Sequence, residues 1–125
     1  LEPQKRLSAG QRIRRQKTFK NLVEKGQFAR GAYFYLWVIR QEAQEKTATA
    51  QKPMIGIVVS RKTDTSAVGR NAWKRQVREI FREHQTNLRP GSVCLVKVRH
   101  AIKRPAFSAA EEDLVKLFKK AGAWT

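Results

Sequence analysis

The sequence predicts one mixed helix-and-strand domain in which a basic amphipathic helix docks on a sheet. Three observations carry that expectation. Residues 33–40, 54–60 and 93–99 are short runs rich in aromatic and β-branched residues, the pattern of strands. Residues 69–84 repeat their apolar positions with the period of a helix and sort their charges. The chain has 125 residues, 41% of them hydrophobic, enough for a single core without covalent staples.

Charge narrows the partner. Lys and Arg number 27 against 10 acidic residues, a formal charge of +17. Self-repulsion at that charge opposes compaction, so an anionic partner is expected. Aromatic residues accompany the cations, which favours nucleic acid. A membrane partner is disfavoured, because no apolar run approaches the roughly 20 residues of a spanning helix. The single Cys94 excludes an internal disulfide and suits a reducing, cytoplasmic setting; within a strand-like run it is expected to be buried and inert. No apolar signal segment is visible in residues 1–17, although their Arg-rich character leaves an organellar transit peptide open. The chain starts at Leu1 without a Met and is read as trimmed or partial.

Residues 1–16 form a basic N-terminal arm with Lys5, Arg6, Arg12, Arg14 and Arg15, either a solvated tail or a segment that orders on RNA. Residues 17–125 form the single domain. Phe19, Leu22 and Val23 recur at helical spacing before Gly26, predicting a short helix that Gly26 stops. In the first strand Tyr33, Tyr35, Trp37 and Ile39 share one face and Phe34, Leu36 and Val38 the other. Both faces are apolar, so one should be covered and the other partly covered. Residues 41–53 are polar and unpatterned and read as a hairpin loop. The second strand, residues 54–60, ends in Arg61 and Lys62. The third carries Lys97 and Arg99 on one face; a further short strand near residues 100–105 is possible. Ser108 and Glu111 have the spacing of a capping box, with Glu111, Glu112 and Asp113 near the helix start and Lys116, Lys119 and Lys120 toward its end. Leu114, Leu117, Phe118 and Ala121 form its buried stripe, and Gly122 ends it.

At about 100° per residue the helix over residues 69–84 separates into sectors. Trp73, Val77, Ile80 and Phe81 gather on an apolar seam. Arg70, Lys74, Arg78 and Arg82 climb the adjacent sector, with Asn71 and Arg75 beside them, and Glu79, Glu83 and Ala72 take the remaining side. These cations can each engage a phosphate. Asn71 suits either RNA contact or helix capping. Phe19, Tyr35 and Trp37 suit a stacking platform for unpaired bases or, alternatively, the core; Trp73 is expected in the core.

Catalytic machinery is not evident. Two histidines and one cysteine, without a CxxC pair, supply neither a zinc site nor an activated nucleophile. The carboxylates read as helix-start or solvated helix charges rather than a converging pair, and no Gly-rich phosphate loop is present.

Ile57-Val58-Val59-Ser60-Arg61-Lys62, followed by Ala67-Val68-Gly69-Arg70-Asn71-Ala72-Trp73-Lys74-Arg75-Gln76-Val77-Arg78, resembles the signature of the bacterial ribonuclease P protein subunit. The resemblance extends in order over residues 12–122, through the opening helix, the aromatic strand and the last helix. It implies an α+β fold: a four-stranded sheet packed by helices, with a left-handed βαβ crossover. Residue reasoning alone would choose a right-handed crossover. It also implies partners, a catalytic RNA and precursor tRNA, whose 5′ leader the holoenzyme removes with Mg²⁺ held mainly by RNA. Carried over by position, Arg70, Asn71, Lys74, Arg75 and Arg78 would contact the RNA subunit; with the cations Arg61, Lys62 and Arg82 they form the expected RNA-binding set. Phe19 and Trp37 would line the leader cleft, to which the stacking reading adds Tyr35; no protein catalytic or metal-binding residue is implied.

This chain departs from the family pattern at several positions. Ala72 stands where the second Arg of Arg-Asn-Arg is usual, Val23 where the cleft is often aromatic, and Trp37 where Tyr is usual. The loop over residues 63–66 is about one residue longer. A ribosomal or general structural RNA-binding protein is the alternative class. A DNA-binding regulator ranks below it, lacking a clear helix-turn-helix pair.

Overall fold

The computed structural model describes residues 16–40, 52–100 and 102–125. Residues 1–15 of the expected arm, residues 41–51 of the expected hairpin loop and the side chains of residues 16–19 lie outside that set. The elements run α1 (Gln16–Lys25), β1 (Gln27–Arg30), β2 (Phe34–Arg40), β3 (Met54–Val58), α2 (Ala67–His84), β4 (Ser92–Val98) and α3 (Phe107–Lys120), with a 3₁₀ turn over Gln85–Asn87 after α2. The architecture is α+β.

β4 is apolar almost throughout and buried on both faces, which suits an interior strand. The sheet order is β1-β2-β4-β3. β2 pairs antiparallel with both β1 and β4, and β3 runs parallel to β4. The unit β3-α2-β4 is therefore a βαβ crossover between neighbouring parallel strands. The expected hairpin across residues 41–53 is not formed, because β4 lies between β2 and β3. A polar linker reveals that two strands are joined but not that a later strand inserts between them.

The fourth strand is β1, not the segment near residues 100–105, where 102–106 form no regular element. Only Ala29 is buried in β1, too little pattern to read. Its strand character comes from pairing with the edge of β2. Gly26 N donates to Leu22 O at 2.8 Å as α1 ends. A Cβ at Gly26 would lie 2.4 Å from that oxygen, so the turn into β1 requires glycine.

Period two splits the sheet into two faces. On one, Phe34, Leu36, Val38, Ile55, Cys94, Val96 and Val98 meet Trp73, Val77, Ile80 and Phe81 of α2 and Leu114, Leu117 and Phe118 of α3. Trp73 is 1% exposed and meets Phe34 edge-on at 6.0 Å, as its place on the seam predicts. On the other face Leu22 of α1 packs on Val93 and Leu95, with Trp37, Ile39, Met54 and Val58 around them. Cys94 is fully buried, and burial pushes its thiol pKa up to about 12.

Helix ends follow tertiary contacts more than sequence motifs. α3 starts at Phe107 with Ala106 as a cap that makes no side-chain bond, and no acid lies in its first turn. The expected capping box is thus not formed. Glu111 Oε2 instead meets His84 Nε2 of α2 at 3.0 Å, and Asp113 accepts the Ala32 and Tyr33 backbone N–H groups at 2.9 and 3.0 Å. At the other end Gly122 has φ +77°, and Ala123 N donates to Phe118 O at 2.9 Å, the expected glycine stop. No helix among the described residues is long and apolar enough to cross a membrane.

Candidate nucleic-acid interface

Ser60 to Ser66 converts the end of β3 into the start of α2. Thr63 N and Asp64 N both donate to Ser60 O, folding a tight turn that leaves Arg61 and Lys62 exposed. Asp64 Oδ1 accepts the Ser66 N–H at 2.9 Å, and the Ser66 side chain caps α2 by accepting from Gly69 N at 2.9 Å. Asn71 is therefore not the cap. It lies exposed in the second turn, available to a partner.

Arg70 folds back over this loop, its Nη1 donating to Asp64 O at 3.1 Å and Thr65 O at 3.0 Å. The loop and the helix start are thereby locked together, with the guanidinium charge presented at their junction. Lys74 and Arg78 follow one and two turns later, both half-buried, and Arg75 is exposed beside them. Because the apolar seam of α2 is buried against the sheet, this polar sector faces away from it. The sorting of charge breaks at the last turn. Arg82 Nε donates to Glu79 Oε2 at 3.1 Å, and its Nη2 reaches both Glu79 Oε1 and Glu83 Oε1, the latter at 2.6 Å. Residues three apart are neighbours on a helix surface, so a sector diagram cannot keep Arg82 from Glu79. Hydrogen bonding to Arg82 lowers the Glu79 pKa and, in return, raises that of Arg82.

The second surface lies on the opposite face of the sheet. A cleft of about 450 Å³ runs between α1 and the strands, lined by Lys20, Val23, Glu24, Trp37, Val58, Leu95 and Lys97. Trp37 forms its floor with Leu95, while Lys20 and Lys97 give it positive walls. Val23, half exposed, contributes an apolar wall without a ring. Tyr35 shares the Trp37 face and lies 6.3 Å from it, centroid to centroid. Arg99 sits 5.5 Å from the Tyr35 ring, held by donating from Nη1 to Gly31 O at 3.2 Å and Ala32 O at 3.4 Å. Phe19 lies on α1, its side chain outside the described set.

The chain matches known proteins along most of its length. A family model described as Ribonuclease P matches residues 7–122. The chain belongs to the ribonuclease P protein family. A "Ribonuclease P protein component" from Pseudanabaena sp. is 34% identical over 110 residues, covering 88% of this chain and 90% of the relative. The solved ribonuclease P protein of Thermotoga maritima superimposes with a TM-score of 0.71 at 28% identity, covering 87% of this chain and 96% of that one. The Staphylococcus aureus protein, at 23% identity, shares the fold with a TM-score of 0.76 and covers 92% of this chain and 98% of its own.

Within this ribonuclease P protein the structure gathers the sequence-derived residues into two groups. Arg61, Lys62, Arg70, Asn71, Lys74, Arg75 and Arg78 belong to the loop and the outer sector of α2. Arg82 stands at the far end, engaged by two carboxylates. Tyr35 and Trp37 belong to the cleft side. Sequence reasoning missed Phe28, exposed on β1 with its ring 5.0 Å from Trp37 and 5.8 Å from Tyr35. The alternation of Phe28 and Arg30 around Ala29 was its only signal, and the strand is too short for that to register.

Proposed function

We propose that this chain is the protein subunit of a ribonuclease P ribonucleoprotein. The outer sector of α2 and the loop before it grip the catalytic RNA. The cleft beneath α1 receives the single-stranded 5′ leader of precursor tRNA, promoting endonucleolytic removal of that leader. The observation that carries this reading is the separation of two different RNA-compatible surfaces on opposite faces of one sheet. A cationic helix suits phosphates of a folded RNA, and an apolar, ring-floored cleft with lysine walls suits unpaired nucleotides.

The chemistry is assigned to the RNA. Among the described residues no three His, Cys, Asp or Glu side chains come together as a metal site, and the Mg²⁺ of the reaction is not assigned to them. We place that ion on the RNA and derive no step through it.

Reconstitution tests the proposal. Purified protein added to a bacterial ribonuclease P RNA at limiting Mg²⁺ should restore cleavage at the mature 5′ end of precursor tRNA. Cleavage by the protein alone would overturn the division of labour. Processing unchanged by the protein would favour a purely structural RNA-binding role.

A further inference from the structure

Phe28 is 51% exposed on an edge strand, a position where an apolar ring invites unwanted association. Its surroundings give it a use. The rings of Phe28, Tyr35 and Trp37 touch in sequence across β1 and β2, tilted against one another by 32°, 42° and 57°. They form a continuous surface without stacking face to face, which leaves ring area for other π systems. Cations border it. Arg30 stands opposite Tyr35 on the same face, Lys97 opposite Tyr35 on its other side, and Arg99 beside the Tyr35 ring. Rings flanked by cations are the pattern of a single-stranded nucleic-acid path.

We infer that Phe28 is a nucleotide-binding residue, extending the leader cleft across β2 to the edge of the sheet and adding one stacking subsite there. The inference rests on the proposed leader-binding role of the cleft and deepens it. RNA crossing from Val58 on β3 to Phe28 on β1 spans three strand spacings, about 15 Å, with Trp37 two spacings along and Arg30 and Arg99 placed for the phosphates. Val23 lines the α1 side of the cleft with an aliphatic side chain, and Phe28 supplies an aromatic surface on the far side of Trp37.

The test uses the holoenzyme assembled with a bacterial ribonuclease P RNA, and precursor tRNAs whose leaders lengthen one nucleotide at a time. In wild type, affinity should rise with leader length to a plateau. Phe28→Ala should reach its plateau one nucleotide earlier and lose roughly five- to tenfold in affinity for long leaders, with leaderless tRNA unaffected. Phe28→Trp should restore the wild-type profile. Equal weakening of leaderless and long-leader substrates by Phe28→Ala would overturn the inference, as would a change in oligomeric state in place of a change in leader affinity. If Trp37→Ala shortens the plateau while Phe28→Ala does not, the cleft reading stands and the Phe28 subsite falls. If neither variant alters leader dependence, both fall.

Discussion

Arg82 and Glu79 close the basic sector of α2 against itself: Arg82 Nε donates to Glu79 Oε2 at 3.1 Å, and Glu83 takes a further bond from the same guanidinium. The ladder that begins at Arg70 therefore ends in a compensated charge. Glu79→Gln combined with Glu83→Gln should return Arg82 to the surface field. The expected result is tighter binding to ribonuclease P RNA at low salt, with the slope of log affinity against log salt steeper by up to about 0.9. An affinity and slope equal to wild type would show that Arg82 lies beyond the RNA contact.

Lys74, Arg75 and Arg78 have the opposite expectation. Neutralising all three should weaken RNA binding at every sequence and flatten the salt dependence by roughly 2–3 in slope. Filter binding across a salt series reads both quantities. A slope that does not move would remove the middle of α2 from the interface.

Trp37 forms the cleft floor, so Trp37→Ala should weaken substrates with long leaders roughly five- to a hundredfold and spare leaderless tRNA. Loss shared equally by both substrates would point instead to collapse of the Leu22–Leu95 packing beside it.

Asp113 ties α3 to the turn before β2 through two backbone N–H groups. Asp113→Ala leaves both donors without their carboxylate and should cost about 2 kcal/mol, lowering Tm by roughly 5–10 °C. Asp113→Asn, which keeps an acceptor without the charge, should fall between. An unchanged Tm in Asp113→Ala would show that water replaces the carboxylate at no cost.

Cys94 predicts an alkaline signature. Its thiol has an ordinary pKa of 9.0, raised to about 12 in the fold by burial. Above pH 9 the unfolded chain therefore loses this proton while the folded one keeps it, and stability declines by up to about 1.4 kcal/mol per pH unit. The contribution is fully present below pH 9 and exhausted as pH passes 12. Cys94→Ala should show a shallower decline over that window in denaturant titrations; equal slopes would refute the assignment.

Local pattern was enough for several elements. The seam of Trp73, Val77, Ile80 and Phe81 is apolar at helical spacing and could be buried only as a helix face. Phe34, Leu36 and Val38 alternate with Tyr35 and Trp37, so the strand and its two faces follow from period two. Gly122 stands just past the last buried position of its helix, where left-handed backbone ends the chain of hydrogen bonds. The signature from Ser60 to Arg78 was legible for the same reason: its loop, cap and cations are contiguous.

Tertiary structure decided what depends on partners distant in sequence. β1 is a strand only because β2 offers it an edge. β4 takes the interior place that a local reading would leave to a hairpin of β2 and β3. Glu111 and Asp113 have the spacing of helix-start acids, yet His84 and the Ala32–Tyr33 backbone claim them, since a charged group gains more from a fixed partner than from the helix dipole. Phe28 joins Trp37 and Tyr35 through strand register alone. The sequence by itself determined that this chain is a basic α+β protein whose long helix sorts most of its cations to one sector; only the packing of strands against one another determined where its aromatic surface begins and ends.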